Sequence, residues 1–248
     1  MGIANRVALI TGSASGMGKQ TAQRMAENGA AVVINDIDAG KVQDTVEEFK
    51  GLGFRVLGTV ADISKAEAVK SMVQQAIEAF GRVDILVNNA GLEKAGPMRK
   101  LTEADWDLTI DVNLKGSFLC AQAVHGFMVE NKHWRIINIA SRAWLGGPGQ
   151  IPYSSAKAGT VGMTRALALE LGKSGVTTNC VAPGLIHTPM WDALPEKDRN
   201  FLLTKQPTGR LGSPDNIADT VMFLADDEAS FINGQVIYVC GGRSLFAG

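Results

Sequence analysis

The chain has 248 residues, 46% hydrophobic and 20% charged, enough to bury the core of one large α/β domain. Lysine and arginine number 24 against 25 aspartates and glutamates, a net charge of −1. That balance argues against nucleic acid or an anionic membrane as the main partner. Cys120, Cys180 and Cys240 stand in apolar surroundings without metal-ligand spacing. No metal site is expected, and three reduced thiols fit a cytoplasmic protein. The N-terminus runs straight into an apolar β-type run, and no apolar stretch is long enough to span a bilayer. Neither a signal peptide nor a membrane segment is expected.

Seven short apolar runs, at 7–11, 31–36, 55–61, 84–89, 135–140, 177–182 and 235–239, are predicted strands. Between them, 16–28, 41–50, 65–80, 103–129, 153–171 and 215–224 carry helical periodicity. Strands apolar on both faces and separated by helices imply a mostly or wholly parallel seven-stranded sheet covered on both sides. The expected fold is therefore a single doubly wound Rossmann-type α/β domain over residues 1–248. One stretch, 185–212, breaks the alternation with Pro189, Pro195 and Pro207 around an amphipathic segment at 198–204. It is predicted to be a substrate lid.

The chemistry begins where the first strand ends, in Thr11-Gly12-Ser13-Ala14-Ser15-Gly16-Met17-Gly18. Glycines there let the backbone turn tightly and approach a ligand. The helix start behind Ser15, Gly16 and Met17 aims free N–H groups at a pyrophosphate. The second strand ends in Asp36, whose carboxylate suits ribose hydroxyls and repels a 2′-phosphate. Neither Ser15 nor Ile37 offers a basic partner for such a phosphate, so NAD is the expected cofactor. Farther on, Tyr153 and Lys157 stand four apart on a predicted helix and project from one face. A neighbouring ammonium and an oxidised nicotinamide would lower the phenol's pKa towards working pH, making Tyr153 a proton acceptor. Ser141, ending the fifth strand, has a hydroxyl suited to hold a substrate oxygen. Asn113 is an unfavoured filler inside a long helical segment.

The G-x-x-x-G-x-G spacing of Gly12, Gly16 and Gly18, the Asn88-Asn89-Ala90-Gly91 run, Asn113, Ser141 and Tyr153-x-x-x-Lys157 occur in one order. In that order and spacing the chain resembles the short-chain dehydrogenase/reductase family, in its branch of roughly 250 residues. The resemblance implies hydride transfer between a secondary alcohol, or its ketone, and a nicotinamide. It assigns adenine contact to Asp62 with Ile63 beside it, and cofactor contacts to Asn89, Ala90 and Gly91. It further assigns cofactor contacts to Pro183, Gly184, Ile186 and Thr188. Asn113 would relay protons through water to Lys157, which would also touch the nicotinamide ribose. His187 is set aside as a base for want of a carboxylate or cysteine partner close by. A homotetramer is implied by the same resemblance.

Substrate-lining candidates are Ser141, Arg142, Ala143 and Trp144, then Gln150 and Tyr153, with Met190 and Trp191 from the lid. Glu93 and Lys94 are placed near the entrance. Thr188-Pro189-Met190-Trp191 is similar to a stretch of acetoin and butanediol dehydrogenases in the same family. The expected substrate is a secondary alcohol or ketone such as a small hydroxyketone, diol or cyclic alcohol. Two alternatives stay open: a 3-oxoacyl-(acyl carrier protein) reductase-like enzyme, and a non-catalytic cofactor-sensing protein.

Overall fold

The computed structural model describes residues 2–131 and 134–245; the side chains of 128–131 and of Met190 lie outside what it describes. Seven strands form one parallel sheet: β1 (Val7–Ile10), β2 (Ala31–Asp36), β3 (Val56–Val60), β4 (Ile85–Asn88), β5 (Trp134–Ile139), β6 (Val176–Pro183) and β7 (Val236–Val239). Their order across the sheet is β3-β2-β1-β4-β5-β6-β7, with every pairing parallel. The helices are α1 (Gly16–Glu27), α2 (Ala39–Gly51), α3 (Ala66–Phe80), α4 (Glu103–Ile110), α5 (Gly116–Asn131), α6 (Ile151–Leu171), α7 (Pro189–Asp192), α8 (Glu196–Thr204) and α9 (Pro214–Ala225). This is the doubly wound Rossmann arrangement anticipated from the alternation of patterns.

Two cores explain why the strands carry apolar residues on both faces. Side chains alternate across a strand, so Ala8 and Ile10 of β1 and Val32 and Ile34 of β2 pack with Met25, Phe49, Ile217 and Val221 on one face. Val7, Leu9, Ala31 and Val33 pack on the other face, with Met72, Val73, Cys120 and Trp134. Strand order reverses direction on either side of β1, which neighbours both β2 and β4. A crevice beyond the carboxyl ends of the strands is the geometric result of that reversal.

One predicted helix is three elements. The 103–129 segment is α4, a π-turn at Asp111–Lys115, and α5. Side-chain hydrogen bonds account for the interruption. The Asn113 amide donates to Thr109 O at 2.9 Å and to Leu92 O at 2.8 Å, while Ser117 Oγ donates to Asn113 O at 3.1 Å. These bonds compete with the regular backbone ladder at the position where the sequence placed an awkward asparagine.

A buried polar chain ties α5 and α6 to the sheet. Asn88 Nδ2 donates to Asn138 Oδ1 at 2.8 Å and to Ser117 O at 3.2 Å. Asn138 Nδ2 donates in turn to Thr164 Oγ1 at 2.9 Å. The 185–212 excursion closes at its base, where Gly212 N donates to Leu185 O and His187 N donates to Gly212 O, both at 2.9 Å. Replacing Asn88 by alanine strands one buried acceptor, the Asn138 amide oxygen, and removes the side-chain bond to Ser117 O. The expected loss is about 1–3 kcal/mol of unfolding free energy, read as a lower denaturant midpoint with an unchanged slope. An unchanged midpoint would remove this chain from the list of forces orienting α6.

Candidate active site

The crevice holds a cavity of about 500 Å³ that runs from the end of β2 to the start of α6. The first loop forms one wall through Gly12, Ser15, Gly16 and Met17. Gly12 and Gly16 take positive φ of 61° and 56°, a conformation that disfavours any side chain. A Cβ at Gly16 would stand in open space, whereas one at Gly12 would lie 2.7 Å from the Ala90 backbone. Thr11 Oγ1 accepts from the N–H groups of Asn89 and Ala90, both at 3.0 Å. The Asn89 side chain donates to Thr11 O and Gly12 O at 2.9 Å. The loop is thus held by the end of β4. Gly18 does not line the cavity; its missing side chain lets α1 pack on Gly12 O and Asn89.

Asp36 and Ile37 line the end of the cavity beyond β2, with Asp62 and Ile63. Asp36 Oδ1 accepts from Ile37 N at 2.9 Å and Asp38 N at 3.3 Å, which fixes the carboxylate at the strand end. Asp62 Oδ1 accepts from Ser64 N at 2.9 Å, so Asp62 shapes its own turn while lining the cavity.

At the opposite end the cavity meets Ala90, Gly91, Tyr153, Lys157 and Thr188. Lys157 is 3% exposed, and its ammonium donates to Ile139 O at 2.9 Å. The same ammonium lies 5.5 Å from the centre of the Tyr153 ring. Burial pushes the lysine down to about 8 because a desolvated ammonium is disfavoured. Burial likewise pushes the Tyr153 phenol up to about 12; a hydrogen bond with Ser141 opposes this and the charge of Glu93 adds to it. The sequence predicted a lowered phenol. In this arrangement desolvation outweighs the neighbouring groups, and a further positive charge is needed to reverse it.

Gly91 is the contact point of the catalytic candidates. A Cβ there would sit 2.6 Å from Asn113 Oδ1 and 3.4 Å from Lys157 Nζ. Asn113 is buried, its amide group donates to two carbonyls, and its Oδ1 meets no donor. Tyr153 and Lys157 thus line one end of the cavity, with Ser141 hydrogen-bonded to Tyr153 and Asn113 against Gly91, both outside the lining itself.

Other candidates do not line this cavity. Pro183 ends β6, and Gly184 allows close packing on Cys240. Ile186 is buried and bridges to Gly212. Ala143 and Trp191 are buried outside the cavity walls. Trp144 stacks on Tyr238 at 6.4 Å. Gln150 donates to Glu93 Oε1 at 2.7 Å, a pairing that sequence distance hid. Met190 lies in α7, with its side chain outside the described set. His187 does have a carboxylate partner, Asp192 Oδ1 at 3.0 Å, but both are exposed and neither lines the cavity. Among the described residues no cluster of metal-ligating side chains occurs, and no helix is long and apolar enough to cross a membrane. The sequence missed Leu108 and Val112 as cavity walls. Their signal was the apolar spacing ahead of Asn113, which reads equally well as core.

A family model described as enoyl-(acyl carrier protein) reductase matches residues 12–244. The chain is 76% identical, over the full length of both proteins, to the (2S)-[(R)-hydroxy(phenyl)methyl]succinyl-CoA dehydrogenase subunit BbsD of Thauera aromatica. It is 41% identical to the 3-oxoacyl-[acyl-carrier-protein] reductase FabG of Thermotoga maritima, covering 98% of this chain and 99% of that one. Among solved structures, levodione reductase superposes with a TM-score of 0.94 at 35% identity, covering 98% of each chain.

The buried lysine sets a pH dependence of stability. Its folded pKa of about 8 lies below the ordinary 10.5, so between those values the unfolded chain binds more protons. Stability must then rise with pH across that window. Relative to Lys157→Met, the protein is expected to gain about 1–3 kcal/mol between pH 8 and pH 10, measured by denaturant unfolding. Parallel curves for the two proteins would contradict a depressed lysine.

Proposed function

The chain belongs to the short-chain dehydrogenase/reductase family, and we propose that it oxidises a secondary alcohol carried on an acyl-CoA thioester, with NAD as acceptor. The observation that carries the reaction type is the meeting of Tyr153, Lys157 and Ser141 at one end of a cavity whose other end is Asp36. The substrate class rests on the 76% identity to a dehydrogenase named for a hydroxy(phenyl)methyl succinyl-CoA. An acyl thioester replaces the small hydroxyketone, diol or cyclic alcohol expected from the sequence. The 3-oxoacyl reductase alternative shares the thioester and the chemistry, but Asp36 favours NAD over NADP. A purely cofactor-sensing role is disfavoured because both Tyr153 and Lys157 stand in place.

The residues fit a dinucleotide. Gly16 leaves its Cβ position open towards the cavity, and Gly91 admits close approach beside Asn113 and Lys157. Asp36 would take the adenosine ribose hydroxyls, Asp62 the adenine, and Lys157 the second ribose. When bound, the nicotinamide supplies the hydride acceptor. Tyr153 takes the alcohol proton, and Ser141 Oγ holds the substrate oxygen while its charge changes. Lys157 keeps positive charge against the phenol, and Asn113 stands next in line for the proton. The 185–212 excursion would act as a lid over the substrate. Exposed Trp106, Leu108 and Phe118 along α4 and α5 support an assembled form, consistent with a homotetramer or with the subunit status named for the relative.

The test uses the purified assembly with racemic hydroxy(phenyl)methyl succinyl-CoA. Reduced nicotinamide should appear, with kcat/KM at least about tenfold higher for NAD than for NADP. Tyr153→Phe should lower kcat by roughly 10²–10⁴ with NAD affinity kept. Turnover by that variant at the wild-type rate would remove Tyr153 from the proton step.

A further inference from the structure

Arg142 follows Ser141 directly, in the short turn Arg142–Leu145 that leaves β5. Its Nε is buried and meets no acceptor. The turn packs against a second one, Arg243–Leu245, which follows β7. Arg243 donates from one guanidinium nitrogen to Leu202 O of α8 at 3.1 Å, so the two arginines sit where the excursion meets the sheet edge, next to Ser141 in the chain but outside the lining of the cavity at Tyr153. Burial, and after it the charge of Arg142, hold the Arg243 guanidinium below its usual range.

Among the described residues neither guanidinium has an aspartate or glutamate within ion-pair distance. Two neighbouring cations, one with a buried unpaired donor, are costly unless an anion completes them. Glu93, the acid that acts on Tyr153, is engaged by Gln150. Arginine also presents a planar fork matched to a carboxylate.

We propose that Arg142 and Arg243 form a subsite for a free carboxylate on the substrate, beside the Ser141 that holds its reacting oxygen. The inference rests on the thioester reading above and deepens it: the preferred alcohol is a monothioester of a dicarboxylic acid. The carboxylate then orients the carbinol carbon, because one end of the molecule is fixed at the arginines and the other at Ser141 and Tyr153.

The experiment compares hydroxy(phenyl)methyl succinyl-CoA with 3-hydroxy-3-phenylpropionyl-CoA, which lacks the second carboxylate, as the ratio of their kcat/KM values. The expected preference for the dicarboxylic substrate is about thirtyfold or more, collapsing towards one in Arg142→Met. Arg243→Met, at a partly exposed position, repeats the test should the first variant fold poorly. Arg142→Lys should restore only part of the preference. Pantetheine thioesters of both acids form the second arm. A ratio unchanged in both methionine variants overturns the subsite. So does an equal loss for both CoA thioesters that is absent for the pantetheine thioesters, which would assign the arginines to the CoA phosphates. Turnover of neither thioester by the wild type would instead overturn the functional reading and, with it, the inference.

Discussion

An ammonium group buried at the end of the sheet is the constraint on which the rest of this site turns. Lys157 gives up water and receives one carbonyl, Ile139 O, in return. A single hydrogen bond does not offset the desolvation of a charge, and the lysine is pushed down to about 8. The fold tolerates that cost where it places the cation under Tyr153 and beside Gly91 and Asn113. The Asn88–Asn138–Thr164 chain supplies the rigidity, fixing α6 against β4 and β5.

The same physics explains the phenol. Burial is the main reason the Tyr153 phenol stands up at about 12, which leaves less phenolate at neutral pH than in free tyrosine. Ser141 lowers that barrier by one hydrogen bond, while Glu93 raises it. A base suited to neutral pH therefore requires positive charge close to the ring, and Lys157 is the protein's own source of it. On the proposed reading the oxidised cofactor supplies the remainder, so the base is strong only when the hydride acceptor is in place.

Much of this was legible in the residues. Apolar runs alternating with helical patterns marked all seven strands to within a residue or two, because the inner strands β1, β2, β4, β5 and β6 are buried on both faces. The glycine loop, Asp36 and the Tyr153–Lys157 pair were legible because their chemistry is local. The π-turn was not, since its cause is a side-chain bond from Asn113 to Leu92, far back in the chain. Nor were Gln150 with Glu93 or Arg142 with Arg243, which meet only after the sheet brings separate strand ends together. The depth at which the phenol is buried was not legible either: spacing reveals a nearby charge but not the desolvation that opposes it.

On the proposed reading, Lys157 keeps its charge and so makes Tyr153 a usable base. The direct measurement is the pH profile of kcat/KM for alcohol oxidation with saturating NAD, in the wild type and in Lys157→Met. Because the phenolate is the active form, the rate should rise with pH to a plateau. In the variant that rise should move about one pH unit or more towards alkaline values. A rise at the same pH in both proteins would contradict the account.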